Sequence, residues 1–121
     1  VKYLILIYHN PEMAKLWQSM PPERRAAGLR AYEVLNDELR ASGELVATEP
    51  VSQTKVTRVT AHDGRTSLSD GPFAEAKEHL AGFYLVDCVS EERAYDIAGR
   101  IPEAAFGVVE VRPTLDLSAF G

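Results

Sequence analysis

The sequence predicts an α+β fold in which helices cover one face of an antiparallel sheet. Three observations carry this. Strand-like and helix-like segments run in the order strand, helix, strand, then strand, helix, strand. The two clearest strand segments, residues 2–8 and 81–89, are apolar on both faces, whereas an antiparallel strand with one wet face alternates with polar residues. The helical segments each carry an apolar stripe bounded by start and stop residues.

Taken in order, residues 2–8 are rich in β-formers, with Tyr3, Ile5 and Ile7 on one face and Leu4, Leu6 and Tyr8 on the other. A helix start follows. Asn10 can cap, Pro11 suits the first helical position, and Glu12 complements the dipole. Met13, Leu16, Trp17 and Met20 then form one apolar stripe, which Pro21-Pro22 ends. Pro22 opens a second helix with an inner face of Leu29, Tyr32, Leu35, Asn36 and Leu39, and Gly43 is its stop. Leu45 to Thr48 reads as a short strand. Residues 54–61 read as another, Asp63-Gly64 as a hairpin turn, and Thr66 to Ser69 as the return. Residues 81–89 form the clearest central strand. Ser90 caps a second long helix, with a stripe of Ala94, Ile97, Ala98 and Ile101, and Pro102 stops it. Residues 107–112 make the last strand. This order matches the ferredoxin-like βαββαβ pattern. Strands apolar on both faces call for cover on the second face too. A second copy of the chain is the simplest cover, because closed homodimers are the commonest oligomers.

A chain of 121 residues reads as one domain, residues 1–121. Hydrophobic residues at 45% and charged residues at 26% exclude an intrinsically disordered chain. The longest apolar run, Leu4 to Ile7 with its flanking tyrosines, is too short to span a bilayer, and no secretory pattern opens the sequence. A cytoplasmic location without membrane association is expected. Net charge is −5 and Lys and Arg are scattered, so nucleic acid is not an expected partner. The single cysteine, Cys88, lies in an apolar run and reads as a buried thiol. No Cys/His spacing suggests a metal, and no phosphate loop, nucleophile elbow or His-Glu-x-x-His motif is present, so no cofactor is expected.

The most informative stretch is Asp70-Gly71-Pro72-Phe73-Ala74-Glu75-Ala76-Lys77-Glu78, which packs a Gly-Pro turn, one aromatic and four ionisable side chains into nine residues and reads as a loop between strand segments. Such loops commonly carry binding and catalytic groups. With Gly82-Phe83-Tyr84 and Glu110-Val111-Arg112-Pro113, the run resembles the DGPF branch of the YCII-related proteins. The resemblance implies a dimeric α/β barrel. It also implies two functional classes. One is an enzyme, since the superfamily includes a dehydrochlorinase and similar barrels host isomerases and monooxygenases. The other is an accessory module, since DGPF proteins are often associated with extracytoplasmic-function sigma factors.

Asp70 is the leading candidate for general acid or base, and equally a turn cap that bonds loop N–H groups. Gly71 and Pro72 are shape residues. Phe73 either plugs the loop onto the core or lines a pocket mouth. Lys77 and Glu78 match the family's Lys-Glu pair. Lys77 would hold an anionic ligand and Glu78 would serve as acid/base partner, or both are solvated surface charges together with Glu75. His9, at the end of the first strand, would titrate near neutral pH and shuttle a proton if its strand end shares a cleft with the loop. It does not map onto the histidine of the His–Asp pair of more distant YCII relatives. His62, in the turn, should face solvent, and His79 carries no family weight. Tyr8, Tyr32 and Tyr84 would line a cavity or simply be core. Arg112 would bind an anion or form a structural ion pair.

The expectation is therefore a homodimer that binds a small polar or aromatic metabolite. If an enzyme, it does cofactor-free proton transfer (isomerisation, lactone chemistry or elimination) with Asp70 as acid/base and Glu78 or His9 as partner. The rival is a non-catalytic ligand-binding or regulatory module linked to a sigma factor.

Overall fold

The computed structural model describes residues 1–71, 77–106 and 108–120. Strand β1 (Lys2–His9) leads into helix α1 (Pro11–Ser19) and the long helix α2 (Pro22–Ser42). Then come β2 (Leu45–Pro50), β3 (Val56–His62), β4 (Arg65–Gly71), β5 (His79–Asp87), α3 (Glu91–Gly99), a 3-10 helix Pro102–Phe106, β6 (Val109–Pro113) and a final 3-10 turn Leu117–Phe120. The main sheet has the order β2-β5-β1-β6, with all neighbours antiparallel. Two strand–helix–strand units interleaved in this way give the ferredoxin-like arrangement.

Local chemistry sets the boundaries. The Asn10 side chain accepts from the Met13 N–H at 2.9 Å, and the Ser90 hydroxyl accepts from the Arg93 N–H at 3.1 Å. Gly43 ends α2 in the left-handed conformation, φ 81°. Asp63 and Gly64 both have positive φ, 50° and 76°, as a type I′ hairpin turn requires.

The core lies between the sheet and α2 and α3. Tyr3, Ile5, Ile7, Tyr84 and Val86 from the sheet meet Leu35, Leu39, Ala94, Ile97, Ala98 and Ile101. The register puts Leu4 opposite Leu85 and Leu6 opposite Phe83 on the other face, where all four remain partly exposed.

Three expectations need correction. The α1 stripe is not core: no residue of α1 is buried, and Leu16 and Trp17 are each 44% exposed. Leu29 is 58% exposed, because α2, about 31 Å long, outruns the neighbouring β2, roughly 20 Å. Asp70 and Gly71 are not loop residues but the last two of β4. The β3–β4 hairpin is a separate two-stranded sheet, unpaired with the four-stranded one.

Candidate functional site

A cleft of about 1160 Å³ opens between α1, α2 and the sheet. Met13 and Trp17 of α1, with Met20 at its C-terminal cap, form one apolar wall, and Gly28, Leu29, Tyr32 and Asn36 of α2 form another. Ile7, His9, Gly82 and Tyr84 contribute from the sheet. The stripe that sequence periodicity assigns to packing thus faces a cavity. A largely apolar cleft with a few convergent polar groups is the usual form of a small-molecule site.

Those polar groups meet at Glu103. His9 Nε2 lies 2.7 Å from Glu103 Oε2, and the Tyr32 hydroxyl donates to Glu103 Oε1. The amide nitrogen of Gln53 lies 3.2 Å from His9 Nδ1. With that amide as donor, Nδ1 accepts, and Nε2 carries the hydrogen given to the carboxylate. Deeper in, the Tyr84 hydroxyl donates to Asn36 Oδ1.

Each member is placed by a local device. The β1–β5 ladder shifts register between Ile7 and Tyr8, where β5 carries the extra residue Ala81, just before His9. Pro102 stops α3 as expected and starts the 3-10 helix that carries Glu103. The Ser52 hydroxyl accepts from the Thr54 and Lys55 N–H groups at 3.3 and 2.9 Å, shaping the loop that holds Gln53.

Burial pushes the Glu103 carboxyl up, but the hydrogen bonds from His9 and Tyr32 outweigh it, and the net direction is down. Glu103 is therefore an anion in a mostly enclosed place, its side chain 13% exposed. Burial raises the Tyr32 hydroxyl, and the bond to Glu103 raises it further, so the phenol keeps its proton. Burial likewise raises Tyr84, against the opposing bonds to Thr48 and Asn36. The cluster can hold an imidazole in a fixed tautomer with its second nitrogen turned toward a displaceable amide.

Of the residues singled out from sequence, the structure brings His9 and Tyr32 together. Asp70 sits exposed on β4 opposite Thr57 and does not line the cleft. Lys77 and Glu78 are exposed just before β5 and do not line it either. Phe73 lies outside the described residues, as do Pro72 and Glu75. Arg112 is exposed on β6 and donates to Glu110 at 2.8 Å, two residues back along the same strand. Glu103 and Gln53 were not legible in the sequence. The only mark on Glu103 is its place after the helix-stopping Pro102, and nothing in that dipeptide points to residues 9 and 32. Among the described residues, no group of three or more His, Cys, Asp or Glu could hold a metal ion. Among the described residues, no helix is long and apolar enough to cross a membrane.

Comparison with known proteins adds a family. An uncharacterised protein of Rhizobium meliloti (strain 1021) is 35% identical over 113 residues, covering 92% of this chain and 90% of that protein. Among solved structures, the chain is similar to a 5-chloro-2-hydroxyhydroquinone dehydrochlorinase from Burkholderia phenoliruptrix AC1100 in complex with 2,5-dihydroxybenzoquinone. The TM-score is 0.49 and the identity 14%, over 95% of this chain and 94% of that one. A family model for the YCII-related domain matches residues 1–118. The chain belongs to the YCII-related family.

Proposed function

We propose that the cleft binds a small polar or aromatic molecule and that His9 moves a proton on it without a cofactor, as in isomerisation, lactone chemistry or elimination. The observation that carries this reading is the chain of contacts Gln53–His9–Glu103–Tyr32 at the cleft wall. Glu103 fixes the Nε2 hydrogen. A ligand hydroxyl, or a C–H beside a carbonyl, takes the place of the Gln53 amide at Nδ1. As Nδ1 gains the proton, the adjacent carboxylate stabilises the imidazolium, and Tyr32 keeps that carboxylate in place. A positioned acid/base group of this kind contributes on the order of 10²–10⁴ in rate.

In this reading the protein belongs to the DGPF branch, on its Asp70-Gly71-Pro72-Phe73 run, and acts in the cytoplasm. It works as a homodimer in an α/β barrel, the two sheets meeting on the face of Leu4, Leu6, Phe83 and Leu85. Acid/base roles for Asp70 and Glu78, and ligand contacts by Phe73, Lys77 and Arg112, stand as separate proposals. Asp70→Asn tests the first of them: an amide caps a turn almost as well as a carboxylate but accepts no proton.

The experiment is proton exchange in D2O, followed by NMR on a panel of enolisable carbonyl compounds and dihydroxybenzenes. The wild type should exchange a specific C–H of a compound it binds. His9→Gln should bind the same compound and lose about 100-fold or more in exchange rate. Equal exchange in His9→Gln would overturn the assignment. Binding with no exchange by the wild type would leave a binding module.

A further inference from the structure

The cleft holds a second polar group away from His9. Asn36 lies on the inner face of α2 beside Leu35 and Leu39, which are 1% and 0% exposed. Asparagine is a poor residue for a helix interior, and on a buried face its polar atoms need partners. One partner is Tyr84, itself 2% exposed, whose hydroxyl donates to Asn36 Oδ1. That bond occupies the oxygen and fixes the amide plane, which leaves the nitrogen with two N–H groups to give. Asn36 is half-buried and lines the cleft, and among the described residues nothing accepts from its nitrogen. A buried phenol thus holds a donor that the fold itself does not use.

There is room for a ligand between this donor and His9. Asn36 follows Tyr32 by one turn of α2, so their β-carbons are about 5–6 Å apart. Tyr32 in turn binds the carboxylate that holds His9. On the sheet, Tyr84 pairs with Ile5 and His79 with His9. Between those two rungs, opposite Ile7, β5 presents Gly82 to the cleft, and it has no side chain to fill the space. Arg40, one turn beyond Asn36, also lines the cleft and adds positive charge at that end. Glu33 and Glu49 on the lining are exposed residues, so their carboxylates stay with water.

We propose that Asn36 donates to the carbonyl oxygen of the ligand, which makes the ligand of this cleft an enolisable carbonyl compound. The inference rests on the proton-transfer reading above and adds the group that receives the charge. His9 Nδ1 takes the proton from the carbon beside the carbonyl. The C–H electron pair becomes the new C=C bond, the C=O π pair moves onto oxygen, and the Asn36 N–H donates to that oxygen. Return of the proton to the same carbon is exchange; return to the far end of a conjugated system is isomerisation. No other reactant is needed. A donor held in place before the charge develops is the kind that favours the transition state most, because it does not have to reorient.

The probe is 2-indanone, a flat ketone, compared with indane, the same frame without the oxygen. Trp17 fluorescence reads binding, and NMR in D2O reads exchange of the protons beside the carbonyl. Wild type should bind 2-indanone about 10-fold more tightly than indane, as one hydrogen bond allows, and should exchange those protons. Asn36→Asp keeps an acceptor for Tyr84 and replaces the donor by a second acceptor. It should lose the preference for the ketone and about 100-fold or more of the exchange rate. Asn36→Leu with Tyr84→Phe removes both partners of the bond together and leaves neither unpaired, so it decides the matter if the aspartate variant folds poorly. It should show the same two losses. A folded variant that keeps the preference and the exchange rate would overturn the role of Asn36, and if His9→Gln still lost exchange the proton-transfer reading would stand. A wild type that preferred the ketone through Asn36 but exchanged nothing would support the carbonyl donor and overturn the proton transfer. A wild type with no preference for 2-indanone over indane would overturn the inference.

Discussion

The bond between Tyr32 and Glu103 can be tested quantitatively by a double-mutant cycle with Tyr32→Phe and Glu103→Gln. Tyr32→Phe removes one hydroxyl and leaves the ring's packing intact. It also takes away one of the two side-chain donors to an enclosed carboxylate, leaving His9 alone. A hydrogen bond to a charged group is worth about 1.5–3 kcal/mol, so a loss of about 2 kcal/mol is expected. Glu103→Gln keeps the shape, and its amide oxygen can still accept from Tyr32. Its amide nitrogen then faces His9 Nε2–H, donor against donor, unless the imidazole changes tautomer and breaks with Gln53. That single change should cost about 1–2 kcal/mol. The double mutant should be less destabilised than the sum of the singles by about 1 kcal/mol, because both singles remove parts of one network. Urea titration reads each value, and each kcal/mol should lower Tm by about 4 °C. Additivity within about 0.3 kcal/mol would show that Tyr32 and Glu103 do not share a bond in solution, and the fixed-tautomer argument for His9 would fall with it.

Three further outcomes follow from the geometry. Arg93 binds Glu44 in bidentate fashion at 2.8 and 2.9 Å, and this holds the Glu44 carboxyl at about 2 instead of 4.5. The folded value is depressed, so the stabilisation is complete above about pH 4.5 and is lost as pH falls toward 2; partial solvent screening limits it to about 1–2 kcal/mol. Acid titration of Arg93→Met should lack that slope, and an unchanged slope would refute the assignment. A Cβ at Gly82 would sit 3.1 Å from the Glu49 carbonyl oxygen and 3.4 Å from the Pro50 Cα, both backbone. Gly82→Ala should therefore force β2 and β5 apart and cost about 1–3 kcal/mol by urea titration. Cys88 is 5% exposed, and burial raises its thiol, so alkylation of the native protein at neutral pH should be slow and should quicken on unfolding.

What was legible in the sequence is what local chemistry decides. Asn10, Ser90 and Gly43 act within a few residues of their own helix ends, and Asp63-Gly64 sets its own turn. The doubly apolar strands revealed a central position, because β1 and β5 are the inner pair of the sheet. Periodicity, however, reports that a face is apolar and not what it meets. The Met13–Trp17–Met20 stripe therefore looked like core and lines a cleft, and Leu29 continued a stripe past the end of the sheet beneath it. Asp70 stands out in the sequence as the head of the Asp70-Gly71-Pro72-Phe73 motif, whereas Glu103, which gathers His9 and Tyr32, sits between Pro102 and two alanines. Its meaning comes from a meeting of residues 94 and 71 positions away, and no short window contains that.

The exposed stripe of α1 has a calorimetric consequence. A helix of nine residues without a buried side chain draws little from tertiary packing, and isolated helices of that length are marginal in water. An occupant of the cleft would complete the packing that α1 lacks, taking Met13, Trp17 and Met20 out of water together with its own apolar surface. Association should then carry a negative heat-capacity change larger than the ligand's surface alone accounts for, the excess belonging to α1. Trp17 is the chain's single tryptophan, so its fluorescence reports that transfer from water without any label.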